Sequence, residues 1–311
     1  MQPFMGLREE HFAAYEPSKW SSNVHNLARM RAKDAMVSLA QTIASGLQNE
    51  LSGLTVGASD EIPSVVNHRS VDSQWVYWFR DLKAQESLAS FLQKTQLRET
   101  TIFNISSQEK HLTVAVILRH EGLWFGLYLA PGASVDRQNL GAKLSKAWER
   151  EILLPQLRTL GEAFSFQQGE TRHPAVSLLP EHVEQLAHQL ADSFPAFQLG
   201  ITYPKAQVLE LQATLAQHLQ AQLRSVLPAY RYIAWSREND HIEAAKQIQE
   251  EKAQKRKAAV GFQNGDKVRI VSGLFAGKIG VVQGIDSKAQ VKIQVGKMAV
   301  VVSGSDLRPA P

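Results

Sequence analysis

The pattern that most restricts the fold of this chain lies near its C-terminus, in the run GDKVRIVSGLFAGKIGVV at residues 265–282. Apolar Val268 and Ile270 alternate there with Lys267 and Arg269, and a period of two is typical of a strand with one buried face. The runs IGVVQGID, AQVKIQV and KMAVVVS follow as further strands. We therefore expect a small all-β unit, whose closure into a barrel would remove its exposed sheet edges.

This segment resembles the KOW motif, and most closely the version in the C-terminal domain of bacterial NusG transcription factors. The matching residues are Gly265, Asp266, Val268, Ile270, Gly273, Phe275, Gly280, Val281 and Val282, with Gly296 and Lys297 at a later turn. The resemblance implies an SH3-like barrel over residues 261–311 that binds RNA or a protein of the transcription or translation machinery. No NusG-type N-terminal domain is recognisable before it, so the resemblance does not imply the role of an elongation factor.

The resemblance also implies where this barrel would bind. In the NusG family, the loop that corresponds to Leu274, Phe275 and Ala276 helps to contact a ribosomal protein or a termination factor. This implies Phe275 as an apolar anchor, with Lys278 and Ile279 beside it. From its own sequence context Phe275 fits either an exposed loop position or a plug of the barrel core, and its loop between glycines favours exposure.

The last quarter of the chain is basic. From His241 onward it has 12 Lys and Arg against 6 Asp and Glu, which leaves 22 and 24 for the first 240 residues. Such a segment favours polyanions and acidic protein surfaces. The barrel residues predicted to carry this charge outward are Lys267, Arg269, Lys278, Lys292 and Lys297. They fit two roles, contact with phosphate groups or plain solubility.

Composition narrows the class of protein. The chain of 311 residues is 44% hydrophobic and 21% charged, which is ordinary for globular proteins. It has no cysteine, which excludes disulfides, thiolate zinc sites and cysteine nucleophiles. The N-terminal MQPFMGLREEHF lacks the features of a secretory signal, and no apolar run approaches the roughly 20 residues that span a bilayer. We expect a cytoplasmic protein without a membrane partner.

Residues 1–235 are predicted to form an α+β domain, because helical and strand-like segments occur without regular alternation. The predicted helices are 24–51, 87–93, 136–153, 181–193 and 205–227. The predicted strands are 73–81, two strands of a hairpin within 111–130, 197–203 and 229–235, with one short strand possible after residue 51. Residues 236–260, rich in Glu, Gln, Lys and Ala, are predicted to form a charged helical connector.

One polar and aromatic cluster, NHRSVDSQWVYWFRD at residues 67–81, is the densest candidate for chemistry in the N-terminal region. His68 and Asp72 fit a general base with an orienting carboxylate, and Arg69 fits an anion clamp. Trp75 and Trp78 are candidates to stack on a nucleobase. A plainer interpretation is a loop that leads into a buried strand with Arg–Asp pairs at its ends.

Two functional hypotheses follow. The first is a modular, non-enzymatic binding protein whose barrel docks on RNA or on a protein of the transcription or translation machinery. The alternative is an enzyme in residues 1–235 that acts on a nucleic acid or nucleotide, with the barrel as its targeting module. No phosphate-binding loop, dinucleotide fingerprint or nucleophile elbow occurs, and the histidines have no metal-ligand spacing. The sequence therefore predicts no metal site and no cofactor. The barrel could also pack as a lid on the N-terminal domain.

Overall fold

The structure is a computed structural model that describes residues 4–60, 62–63, 70–95, 106–191, 196–242, 261–286 and 290–310. The chain separates into two compact units, Met1–His241 and Ile242–Pro311. Of the predicted charged connector, residues 243–260 lie outside the described residues, and the part before them contains a short 3-10 turn at Arg237–Asn239.

The N-terminal unit contains a seven-stranded sheet in the order β1-β2-β3-β4-β7-β5-β6. Its strands are β1 (Leu54–Ala58), β2 (Ser73–Arg80), β3 (Thr113–Arg119), β4 (Gly122–Leu129), β5 (Ser165–Gln168), β6 (Thr171–Pro174) and β7 (Phe197–Pro204). All neighbouring strands of this sheet are antiparallel. The predicted hairpin within 111–130 is β3 and β4, with its turn at His120 and Glu121.

Helices complete the N-terminal unit. They are α1 (Glu9–Ala13), α2 (Asn26–Ser45), α3 (Leu82–Thr95), α4 (Ser107–Lys110), α5 (Ser134–Leu144), α6 (Ala147–Arg158), α7 (Pro180–Ala191), α8 (Lys205–Leu211) and α9 (Leu215–Ile233). The long helix predicted at 136–153 is two helices, because the chain turns at Ser145 and Lys146. The prediction of mixed helix and sheet in this region is confirmed.

The main core lies on one face of the seven-stranded sheet. Val114 and Val116 of β3 belong to it, together with side chains of α2 and α9 such as Leu39 and Leu223. The alternate residues of the same strands form a second apolar cluster that includes Tyr77. Strand β2 is therefore apolar on both faces, as its unbroken run of large side chains predicts.

The prediction of a strand at residues 229–235 is wrong. This segment is the end of α9, and Tyr230 and Ile233 are buried on the same face as Leu223 and Val226. The run AYRYIAW alternates in a strand-like way when taken alone. The helical period that starts further upstream continues through it and sets its conformation, because it buries one continuous apolar stripe.

The C-terminal unit contains a five-stranded antiparallel sheet in the order β11-β10-β9-β8-β12. Its strands are β8 (Lys267–Ile270), β9 (Ile279–Ile285), β10 (Gln290–Val295), β11 (Met298–Ser303) and β12 (Leu307–Pro309). The four strands expected from the sequence pattern are present. Among the described residues the sheet is open, because β11 and β12 are its edges and no pairing joins them.

One face of this small sheet is buried. Its core consists of Val268, Ile270, Val282, Val291, Ile293 and Leu307. Gly280 allows β9 and β10 to approach closely, since a Cβ atom there would lie 2.4 Å from Ile293 Cγ2 and 2.7 Å from the carbonyl oxygen of Gln294. The positions between the buried ones point outward, and they carry the charged side chains described next.

Candidate functional site

The outward face of the five-stranded sheet brings basic side chains together across neighbouring strands. Arg269 on β8 lies opposite Arg308 on β12 and opposite Ile279 on β9. Two residues along β8, Lys267 lies opposite Val281. Residues opposite each other in an antiparallel pair share one face, so these side chains form one mixed basic and apolar surface.

Lys292 extends this surface on β10. It lies opposite Gly284 on one side and Val301 on the other. We name the exposed residues Lys267, Arg269, Lys292 and Arg308 the basic face. Like charges directly opposite each other, as in the Arg269–Arg308 pair, are unfavourable for a sheet.

The described carboxylates of the C-terminal unit lie outside the strands of this face. Asp266 accepts a hydrogen bond from the backbone N–H of Gln263 (2.6 Å) and Asp286 from that of Gln290 (2.9 Å), so both fix turns. Asp306 lies in the 3-10 turn before β12. Among the described residues, the exposed outward strand positions hold no Asp or Glu. The basic face is therefore positive without a carboxylate on the strands that form it.

The loop between β8 and β9 carries the residues that the family resemblance points to. Gly273 and Gly277 adopt positive φ angles of 79° and 84°, which glycine tolerates without strain. Leu274 is fully exposed, whereas Phe275 is half-buried and packs against the core of the sheet. Phe275 therefore acts in part as a core plug, and Leu274 is the apolar side chain that this loop presents to solvent.

The other candidate residues of the C-terminal unit are exposed. Lys278 and Ile279 follow the loop, and Lys297 lies in the turn between β10 and β11. Arg308 is a residue that the sequence pattern did not single out. Its strand is three residues long and ends at a proline, so no alternation is long enough to predict it.

In the N-terminal unit, the structure brings together only part of the candidate catalytic group. His68 and Arg69 lie outside the described residues, so the proposed base and anion clamp stay predictions. Asp72 is exposed and accepts a hydrogen bond from Ser73 Oγ (2.7 Å). The carboxylate thus has a local partner within its own segment.

The two tryptophan candidates differ sharply in accessibility. Trp78 is fully buried in the main core, so its prediction as a base-stacking residue is wrong for this structure. It faces inward because β2 is apolar on both sides and alternate residues must fill the core. Trp75 is half-buried, donates a hydrogen bond from Nε1 to Ser73 Oγ (3.1 Å), and contacts Tyr128 edge-to-face with ring centroids 5.0 Å apart.

A buried ion pair anchors the end of β2. Asp136 on α5 accepts hydrogen bonds from Arg80 Nη2 (2.5 Å) and from the backbone N–H groups of Trp235 (2.8 Å) and Leu112 (2.8 Å). The sequence suggested Arg–Asp pairs at this strand end. The partner of Arg80 is distant in sequence, while the adjacent Asp81 instead accepts from the N–H of Ala84 at the start of α3.

His111 completes this buried cluster. Its Nδ1 lies 3.3 Å from Arg80 Nη1, and its ring stacks on Phe79. Burial, and then the positive charge of Arg80, lower the pKa of His111 from 6.5 to about 4. The imidazole is therefore neutral at pH 7, and the cluster joins β2, β3, α5 and the end of α9 as a structural link.

A second buried polar group closes the C-terminal end of α9. Tyr232 donates from its hydroxyl to Glu149 Oε2 (2.6 Å), and Lys143 Nζ donates to the carbonyl oxygen of Tyr232 (3.0 Å). Burial lowers the pKa of Lys143. Asn239 Nδ2 also donates to carbonyl oxygens at this helix end, including that of Tyr232 (3.1 Å). These contacts satisfy the terminal carbonyl groups that a helix leaves without partners.

Within the described ranges, no group of three or more His, Asp or Glu side chains is placed to hold a metal ion. None of the helices in the described part of the chain combines the length and apolar character needed to cross a membrane.

Comparison with known proteins adds no assignment. No protein-family model matches the chain, and no curated protein matches it significantly. A functional interpretation therefore depends on the residues themselves.

Proposed function

We propose that this chain is a modular, non-enzymatic binding protein that docks on the transcription or translation machinery through its C-terminal unit, with RNA as the direct contact. The unit resembles a KOW-type, SH3-like barrel in sequence, and its described strands form an open five-stranded sheet. The observation that carries the proposal is the basic face, on which Lys267, Arg269, Lys292 and Arg308 lie on the outward side of one sheet. We place such a protein in the cytoplasm, in keeping with its lack of cysteine.

The chemistry of the basic face suits a phosphate backbone. Guanidinium groups bind phosphate oxygens in a bidentate way, and lysines add compact positive charge. Each phosphate that is neutralised releases condensed counterions, which supplies most of the affinity for nucleic acid at low salt. Exposed Ile279 and Val281 lie between the basic side chains and offer apolar surface to sugars and base edges.

A pair of charge-removing variants tests this proposal. In Lys267→Gln/Lys292→Gln, binding of a fluorescein-labelled single-stranded RNA, followed by anisotropy, should weaken by about tenfold or more. The control Lys83→Gln/Lys110→Gln removes the same charge from exposed positions of the N-terminal unit and should bind like the original protein. Equal weakening in both variants would show that net charge alone, rather than this face, attracts RNA.

A second candidate function has its own observation. Leu274 is fully exposed in a loop anchored by half-buried Phe275, and an exposed apolar loop residue suits a protein partner. Affinity capture from a nuclease-treated lysate would distinguish the two functions. A ribosomal or transcription protein that is captured by the original chain and lost in Leu274→Ser would identify protein contact through this loop.

A further inference from the structure

A cavity lies at one end of the N-terminal unit, where the segment before β1, the first turn of α3 and the end of α9 meet. Its volume is about 370 Å³. A second cavity of about 340 Å³ adjoins it and shares Gly53, Ala84, Trp235 and Ser236 in its lining. Volumes in this range are typical of sites for small organic molecules.

One buried hydrogen-bond donor in the lining has no partner among the described residues. Tyr230 and Trp235 are each only 4% exposed, and both line the first cavity. Among the described residues, the indole Nε1 of Trp235 has no hydrogen-bond acceptor. Buried polar groups almost always have partners, so this unsatisfied donor beside a cavity points to an acceptor supplied by a ligand.

The charges around this cavity specify the acceptor further. Arg80 and Arg231 contribute to its lining, and none of the described lining residues is a carboxylate. Asp136 lies behind Arg80 and binds it, which leaves Arg231 as the exposed cation of the lining. Asp81 and Glu238 line only the adjoining cavity. The first cavity is therefore rich in donors and positive in charge.

The rest of the lining is apolar and aromatic. Leu54, Ala84 and Ala234 contribute aliphatic surface. The indole ring of Trp235 is held in place by Phe91, whose ring centroid lies 4.7 Å away. A flat ring can pack on such surface, since aromatic side chains favour offset or tilted contact with another ring.

We propose that this cavity binds a small aromatic carboxylate. The ring of the ligand packs against Leu54, Ala84 and Trp235. Its carboxylate accepts a hydrogen bond from Trp235 Nε1 and is attracted by Arg231. This site is separate from the basic face of the C-terminal unit and makes the N-terminal unit a small-molecule receptor.

The test uses the full chain and 2-naphthoate as the probe. The indole N–H signal of Trp235, identified by its loss in Trp235→Phe, is followed in nitrogen-15 NMR spectra while the probe is added. We expect a saturable shift of this signal at millimolar probe or below. The neutral alcohol 2-naphthylmethanol should bind at least about tenfold more weakly, because it lacks the charge that the donors and Arg231 attract.

Variants locate the bound probe. Arg231→Gln removes the exposed positive charge of the lining and should weaken 2-naphthoate about five- to tenfold, whereas Arg172→Gln, a matched change at another exposed arginine, should leave affinity unchanged. Ala84→Leu fills the space shared by the two cavities and should abolish binding. Absence of a Trp235 shift, equal affinity for the alcohol, or full binding by Ala84→Leu would each overturn the proposal.

Discussion

Arg269 and Arg308 lie directly opposite each other on antiparallel strands β8 and β12, and both are exposed. Two guanidinium groups in this register repel each other, at a cost of roughly 0.2–1 kcal/mol for a cross-strand pair. A phosphate group placed against both arginines turns the repulsion into attraction for the ligand.

The first prediction concerns this repulsion. Arg269→Gln should leave the free energy of unfolding unchanged or raise it by about 0.5 kcal/mol at low salt. The gain should vanish in 1 M NaCl, where the screening length falls to about 3 Å. Urea unfolding at the two salt concentrations measures both effects. A stability loss above about 1 kcal/mol would mean that Arg269 has a structural role.

The second prediction separates the two apolar residues of the β8–β9 loop. Phe275→Ala should lower the stability of the C-terminal unit by about 1–3 kcal/mol, because the ring packs against the core but is only half-buried. Leu274→Ser should change it by less than about 0.5 kcal/mol, since this side chain is fully exposed. Native-state hydrogen exchange of β8 and β9 amides reports the stability of this unit alone. Similar losses in both variants would contradict the division of roles.

The third prediction addresses the buried ion pair. Asp136→Ala leaves the buried guanidinium of Arg80 without its carboxylate, and it should lower the free energy of unfolding by about 3–5 kcal/mol. Asp81→Ala removes only the hydrogen bond at the start of α3 and should cost about 1 kcal/mol. Urea unfolding of the full chain compares the two. Equal losses of unfolding free energy in the two variants would show that the Arg80–Asp136 ion pair does not stabilise the contact between β2 and α5.

The fourth prediction is a pH dependence of stability. The pKa of His111 is lowered from 6.5 to about 4 in the folded chain, so between these values the unfolded chain binds the additional proton. Stability that is complete above pH 6.5 should therefore fall as the pH is lowered towards 4, by up to about 3 kcal/mol.

His111→Gln isolates this contribution. Glutamine retains an acceptor for Arg80 but does not titrate, so the variant should lose the part of the slope between pH 6.5 and 4 that belongs to His111. Unfolding free energies measured at several pH values in this window compare the variant with the original chain. An unchanged slope would mean that other groups dominate the acid sensitivity.

The strands of the C-terminal sheet can be predicted from the sequence because short runs of neighbouring residues determine them. Alternation at Val268 and Ile270, together with glycines at the turns, determines which side chains point inward. The same alternation places Lys267 and Arg269 outward. Arg308 was missed because its strand is too short for a pattern, and only its register with Arg269 reveals its role.

The N-terminal unit is harder to predict because its decisive contacts are distant in sequence. The partner of Arg80 is Asp136, and Trp235 joins the same carboxylate through its backbone. The sequence pattern shows that β2 is apolar on both faces. It does not distinguish the fully buried side chain of Trp78 from the partly exposed side chain of Trp75. The cavity lined by Tyr230 and Trp235 forms at the end of α9. The sequence does not predict it, because the run at 229–235 alternates like a strand and the end of the helix is therefore misplaced.

The salt dependence of RNA binding tests the central claim most directly. The logarithm of affinity for single-stranded RNA, plotted against the logarithm of salt concentration, should have a slope that becomes shallower by roughly 1.4 in Lys267→Gln/Lys292→Gln, since each lost phosphate contact contributes about 0.7. The control Lys83→Gln/Lys110→Gln should keep the original slope. An identical slope in all three proteins would contradict the proposal that the basic face binds the phosphate backbone.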